Sequence, residues 1–378
     1  MKMTDLVSGL LICLMAVQTI QHEENKTGNN SVSPPGMIPK TFRGSSHKPN
    51  YTVQLPAPPN PSVDPHLHVN PEDAVTAYTS GVLSTRVIPL SYILAMLIGI
   101  PSNAYILAFL RVRLRAKALS AVLLYLNLAL SDLLLLLSLA LRVHYHVNGN
   151  TWIFGEVSCR LITALFYGNI YSSAQTIACI SVKRYLAVVK PFLYRRMAKT
   201  KLAASACILV WFSFGAAVTP ELLVRQSYHI RELGITTCHD VLPLEEKSHS
   251  PLVPYRLMLV FLGLIIPFLI CIYAHTAVVY HLGQSACDWR PFIRVSTLVF
   301  FIFVVCFLPS GILHVMHYFK LLYSGDDRLY GYYRGVVCLC CFHSCLDPFL
   351  CLLVSKTASS ELQFISFRGM PQRAAIMT

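Results

Sequence analysis

Charge is what this chain has least of. Only 13% of its 378 residues are charged, and acids are the scarcer sign, with 18 Asp and Glu against 31 Lys and Arg. Soluble domains carry about 25% charged residues. Too few groups are present to solvate a globular surface, which argues against an ordinary cytosolic enzyme. Catalytic signatures are missing too: there is no GxxxxGK[ST] loop, HExxH helix or GxSxG elbow. With nothing to cradle a phosphate, hold a catalytic zinc or activate a serine, no enzymatic activity and no organic cofactor are expected. The 13 cysteines are too thinly spread for a disulfide scaffold. Most lie inside apolar runs, as small buried hydrophobes do. Cys159 and Cys238 flank polar segments and are the natural disulfide candidates.

What is abundant is apolar surface, at 54% of residues with a mean hydropathy of +0.54. Seven apolar segments, near 87–110, 118–141, 157–182, 203–223, 255–280, 295–319 and 331–354, are each long enough to cross a bilayer as a helix. The net charge of +13 could face nucleic acid or an anionic membrane, and its distribution decides between them. Arg111, Arg113, Arg115 and Lys117 follow the first segment. Lys183, Arg184, Lys190, Arg195, Arg196, Lys199 and Lys201 follow the third, and neither loop holds an acid. Loops on the other side carry Glu232, Asp240, Glu245, Glu246, Asp326 and Asp327. The positive-inside rule puts the basic loops in the cytosol and the N-terminus outside. Membrane lipids, and no nucleic acid, are the expected partners of the charge.

The ends agree with that topology. Lys2, an apolar stretch from Leu6 to Ala16 and polar residues from Gln18 read as a signal peptide over 1–20, with an uncleaved anchor as the alternative. Residues 21–86 are interrupted by prolines from Pro34 to Pro71 and hold too little apolar surface to fold, so a disordered extracellular arm is expected. Asn25, Asn29 and Asn50 head glycosylation sequons within it. The fold expected is an all-α, seven-transmembrane helix bundle over 87–354 with a cytoplasmic tail from 355 to 378.

Polar residues at membrane depth ask for a partner or a function. Asn103, Asp132, Ser173 and Asp347 are such residues. The two carboxylates and the hydroxyl could bind a sodium ion, or could form a hydrogen-bonded network, or hold a protonated acid, that only ties helices together. Pro220, Pro267, Pro309 and Pro348 allow kinks, as a bundle with two packings would need. Cys338, Cys340, Cys341, His343 and Cys345 crowd the seventh segment, where packing is a better reading than metal ligation.

Taken in order, Asn103, Leu128 to Asp132, Cys159, Arg184-Tyr185, Trp211, Pro267, Phe303 with Cys306-Phe307-Leu308-Pro309, and Asp347-Pro348 resemble the rhodopsin-like (class A) G-protein-coupled receptors, over roughly residues 85–356. More closely, Ile235 to Val241, His144 to Asn150, Trp152 to Glu156 and Ser344 to Leu350 resemble the protease-activated receptors. That resemblance implies a Cys159–Cys238 disulfide, a plasma-membrane location and a heterotrimeric G protein as partner. It also implies a switch at Arg184, Tyr185, Phe303, Phe307 and Pro309. In the arm, Lys40-Thr41-Phe42-Arg43-Gly44 looks like an activation site. An extracellular trypsin-like serine protease, thrombin among them, would cut after Lys40. Thr41, Phe42, Arg43 and Gly44 would then act as a tethered ligand near Cys238, His239 and Asp240. A lone base in an exposed Pro-containing stretch suits a protease, and tethering keeps the ligand's effective concentration high.

Two departures set further expectations. The stretch from Ser45 to Tyr51 is basic where thrombin-cut members are acidic, so like charges oppose docking on that protease. Lys183 precedes Arg184 where an acid or Asn is usual, and His275 and Cys351 stand where the family has tyrosines. These changes weaken a bistable cytosolic layer. They leave a second role open, as a weakly coupling cofactor or a co-receptor of another protease-activated receptor.

Overall fold

A computed structural model of the chain describes residues 42–44, 66–67, 74–114, 119–243, 252–284, 290–324 and 329–368. The expected signal peptide, the sequons at Asn25, Asn29 and Asn50, and the Lys40–Thr41 bond lie outside the described residues. Helix α1 (Ala74–Ser80) leads through a π-helical turn (Leu83–Val87) into α2 (Ile88–Leu114). Next come α3 (Leu119–Val147), α4 (Gly155–Val189), the short α5 (Pro191–Arg196) and α6 (Lys199–Leu223). The fifth span is α7 (Leu252–Val260), a π-helical stretch (Phe261–Ile265) and α8 (Ile266–Gly283). The sixth is α9 (Arg290–Cys306) and α10 (Leu308–Ser324), and the seventh is α11 (Leu329–Arg368).

Apolar runs become helices because lipid offers no partner for backbone N–H and C=O groups. Among the described residues, 6 helical segments are long and apolar enough to cross a membrane. Helix α4 falls short of that measure because of where it sits. It packs against α3, α6 and α8, and Asn169, Ser172, Ser173 and Thr176 are buried along it. A helix surrounded by other helices has little lipid to face and can be polar. The helices with lipid-facing surface carry Leu97, Ile208, Phe212 and Phe349 exposed.

Between helices in lipid, close packing does the work that water-driven burial does elsewhere. Gly263 shows this: a Cβ there would lie 2.6 Å from the ring of Tyr171, so only glycine lets the fifth span approach α4. The largest cluster, including Phe166, Tyr171, Phe303, Phe307 and Cys341, fills the centre. Between α9 and α10, Phe307 N–H still donates to Phe303 (3.0 Å) and Gly311 N–H to Phe307 (3.1 Å). Pro309 has no N–H to give, so the sixth span breaks there.

Two boundaries differ from the sequence reading. Helix α11 runs to Arg368, well into the expected tail, because no Gly or Pro lies between Pro348 and Gly369. The arm, where described, carries short elements: β1 (Phe42–Gly44), β2 (His66–Leu67) and helix α1. The loop after α6 forms an antiparallel hairpin of β3 (Ser227–Ile230) and β4 (Ile235–Cys238), followed by β5 (Val241–Pro243). Strand β2 lies parallel to β3, and β1 lies parallel to β5 with Phe42 opposite Val241.

Candidate functional site

The outer loop is strapped down before any chemistry is considered. Cys159, in the first turns of α4, is bonded to Cys238 with an S–S distance of 1.97 Å. Glu156, at the positive end of the same helix, pairs with Arg160 and accepts the backbone N–H groups of Gln226 and Ser227, each at 2.8 Å. Trp152 N–H donates to the Thr236 carbonyl at 2.7 Å. The charge-assisted bonds to Glu156 contribute about 1.5–3 kcal/mol each.

His239 then turns the chain. Its φ of 69° is in the left-handed region, held by its N–H on the Gln226 carbonyl (2.8 Å) and its Nδ1 against Gln226 Oε1 (2.7 Å). The turn leaves Asp240 fully buried. Its carboxylate accepts the hydroxyls of Tyr145 (2.8 Å) and Tyr330 (2.7 Å) and pairs with Arg334 Nε at 3.3 Å. Burial pushes the carboxyl up, but the Arg334 charge, His146 and the two tyrosine bonds outweigh it and hold Asp240 below its ordinary value. Of the expected tethered segment, Phe42, Arg43 and Gly44 pair with β5, while Lys40 and Thr41 are outside the described residues.

Deeper in the bundle, Asp132 receives Ser344 Oγ at 3.1 Å and Ser173 Oγ at 3.5 Å, and His343 Nε2 is 3.2 Å from its Oδ1. One ligand atom from each of Asp132, His343 and Asp347 lies within 4.8 Å of the others. Both Asp347 oxygens and Asp132 Oδ2 are buried with no hydrogen-bond partner among the described residues. Asn103 donates to the carbonyls of Gly99 (3.0 Å) and Ser344 (2.7 Å), fastening α2 to α11. The expected acid-and-hydroxyl group therefore meets. His343 is the member that sequence reasoning misplaced by grouping it with its cysteine neighbours. Those thiols face other partners: Cys340 bonds the Cys306 carbonyl (2.9 Å) and Ser310 (3.1 Å), Cys345 the Ala95 carbonyl (3.4 Å), and Cys338 the Arg334 carbonyl (3.4 Å).

Towards the cytosol, Phe307 is buried with its ring 4.7 Å from His343 and 5.1 Å from Phe303, so the acid cluster touches the break at Pro309. Arg184 reaches the Tyr125 hydroxyl at 3.4 Å, and the Tyr185 and Tyr273 hydroxyls are 3.5 Å apart. His275 lies 3.3 Å from Ser296 Oγ and stacks on Phe300. Cys351 is buried.

Basic residues at the outer helix ends escaped the sequence reading. Arg256 forms a buried fork on Glu221 at 2.6 and 2.7 Å, tying α6 to α7. Arg142 and Arg334 are also buried. The available signal was an arginine within an apolar run on the side where the positive-inside rule predicts few bases.

Residues 102–350 match the family described as 7 transmembrane receptor (rhodopsin family). A Bos taurus protein named proteinase-activated receptor 3 is 40% identical over 315 residues, covering 83% of this chain and 82% of the relative. The Homo sapiens protein of that name is 36% identical over 376 residues, 95% and 98% of the two chains. A Mus musculus protein named proteinase-activated receptor 2 is 31% identical over 357 residues, 93% and 86% of the two.

Proposed function

Because the chain belongs to the rhodopsin-family seven-transmembrane receptors and, within them, to the proteinase-activated receptors, we propose that an extracellular trypsin-like protease cuts it after Lys40 and that the freed segment then activates the bundle. The carrying observation is the pairing of Phe42–Gly44 along Val241–Pro243. Continued by one residue after cleavage, that register would bring the new Thr41 ammonium opposite Asp240, a buried carboxylate held below its ordinary value. A three-residue strand pair holds weakly by itself, and tethering supplies the missing concentration. The basic stretch from Ser45 to Tyr51 repels a basic protease surface. Thrombin is therefore a poorer fit than a protease that needs only the base at Lys40, although Pro39 suits the thrombin pocket.

From the loop inward, contacts run through one helix. Asp240 holds Arg334 and Tyr330 on α11, and the same helix carries His343 against Phe307 at the break of the sixth span. Docking that competes for Asp240 would shift α11 and bias the packing at Phe307 and Pro309 towards G-protein binding. Asp132, Ser173 and Asp347 would hold a sodium ion, a hard cation suited to oxygen ligands, whose charge would neutralise the two acids. The unpartnered Asp347 oxygens fit that role.

A second reading, a cofactor or co-receptor that couples poorly by itself, is favoured by the cytosolic layer. Lys183 places a like charge beside Arg184, and His275 is engaged with Ser296 and Phe300. The deciding experiment tags the arm before Lys40 in the full chain, adds trypsin or thrombin to expressing cells, and records tag loss and cytosolic calcium. Tag loss with a calcium rise supports autonomous signalling. Tag loss with silent calcium, in cells where a related receptor responds, favours the cofactor reading. A Lys40→Ala chain that sheds its tag at the wild-type rate would show the cleavage site to be wrong.

A further inference from the structure

Beneath the second extracellular loop lies a group of buried cations, of which the receptor reading uses only the contact of Arg334 Nε with Asp240. Asp240 is the carboxylate beside it, and its oxygens already take Tyr145, Tyr330 and Arg334 Nε. The neighbouring donors have no such outlet. Arg334 Nη1 and Nη2, Arg142 Nε and Nη2, and the Tyr92 hydroxyl are buried without a hydrogen-bond partner among the described residues. Each of these three side chains is at most 2% exposed.

The donors are neighbours. Both guanidinium groups act electrostatically on Tyr92 and on His146. Arg142 Cζ lies 4.4 Å above the centre of the Phe166 ring, and that ring meets Tyr92 at 6.2 Å between centroids. The ring face attracts the charge but offers no acceptor to N–H groups lying in the guanidinium plane. An arginine cannot escape by losing its proton. Two permanent cations against one engaged carboxylate leave a buried positive excess, and water would satisfy the N–H groups without cancelling it.

We infer that Arg142, Arg334 and Tyr92 form a binding site for a small monovalent anion, a carboxylate or a halide. Planar guanidinium donors suit a carboxylate held by two parallel bonds, and a halide would accept the same N–H groups. The site is independent of whether Lys40 is the cleavage point.

The test is the melting temperature of the full-length, uncleaved chain in lipid nanodiscs, followed by tryptophan fluorescence. Sodium and ionic strength are held fixed while bulky sodium gluconate is replaced by sodium chloride or by sodium acetate. Fixed sodium keeps any cation at Asp132 and Asp347 out of the comparison. A saturable rise of about 2–4 °C is expected in one replacement series. A rise with chloride alone identifies a halide, and a rise with acetate alone a carboxylate. Arg142→Gln should abolish the dependence. Should that variant fail to fold, Tyr92→Phe keeps the ring and removes one donor, and is expected to raise the half-saturating concentration about 5-fold. Equal melting in all three salts overturns the site. So does a dependence that survives in Tyr92→Phe with unchanged half-saturation, which would be adventitious binding elsewhere.

Discussion

Where Asp132 and Asp347 meet, the unpartnered buried atoms are oxygens: Asp132 Oδ2 and both Asp347 oxygens. Around Tyr92, Arg142 and Arg334 they are guanidinium nitrogens and the Tyr92 hydroxyl, with the ring nitrogen His146 Nε2 near Tyr92. Among the described residues, the middle of the bundle is short of donors and the outer end is short of negative charge. Buried polar atoms are almost always paired, so a one-sided shortage marks a place built around something else. In the middle the proposed occupant is a cation, and at the outer end an anion. Asp240 shows what the outer end looks like when satisfied, because it is the acid there that is surrounded by donors.

Removing Asp240 should break this contrast most severely. Asp240→Ala leaves Arg334 buried with no acid and deprives Tyr145 and Tyr330 of their acceptor. Breaking a buried pair from one side costs about 3–5 kcal/mol, so a large drop in melting temperature is expected. Tyr145→Phe, which removes one donor from a carboxylate that keeps two others, should cost about 1 kcal/mol. If the two variants melt alike, the acid does not hold the outer cluster together.

The opposite sign is expected in the middle. Asp132→Asn removes one of two crowded carboxylates, so it should stabilise the chain in sodium-free buffer. It should also abolish the gain that sodium gives the wild type, about 1–3 kcal/mol at saturating ion. Melting curves in sodium chloride against N-methylglucamine chloride measure both. A wild type indifferent to sodium would leave the oxygens without their proposed occupant.

How much of this could be read beforehand follows from the same physics. The spans were legible because lipid forces apolar runs into helices, and Asp132 and Asp347 stood out as acids among leucines and cysteines. Arg142 and Arg334 did not, because a base near a helix end reads as a topological marker or a snorkelling side chain. His343 was hidden by the cysteines around it, since adjacency in sequence said nothing of which side chain of α11 meets Asp132 on α3. The pairing of Phe42–Gly44 with Val241–Pro243 was not legible as a strand either. Three residues in a proline-rich arm carry no alternation to recognise. What could be read there was the exposed base at Lys40, from the composition around it.

Acid should sharpen the contrast more gently. The folded value of Asp240 lies below its unfolded one. Its contribution is therefore complete above the ordinary carboxylate pKa of about 4 and is lost as pH falls through the lower folded value. Melting temperature in an Asp240→Asn chain should show less of the fall below pH about 4 than the wild type. The loss is smaller than in Asp240→Ala because a carboxamide still offers an oxygen to Tyr145, Tyr330 and Arg334.

The smallest effect is the most discriminating for the middle cluster. Ser173 Oγ is 3.5 Å from Asp132 Oδ1, at the limit of a hydrogen bond. As a bond alone, Ser173→Ala should cost no more than about 0.5 kcal/mol in sodium-free buffer. As a sodium ligand, Ser173 matters only when the ion is present, so the same variant should shift the half-saturating sodium concentration several-fold while leaving the sodium-free melting temperature almost unchanged. A variant that lowers both equally would make Ser173 a strut between α3 and α4, and the oxygens of Asp347 would then need a different donor.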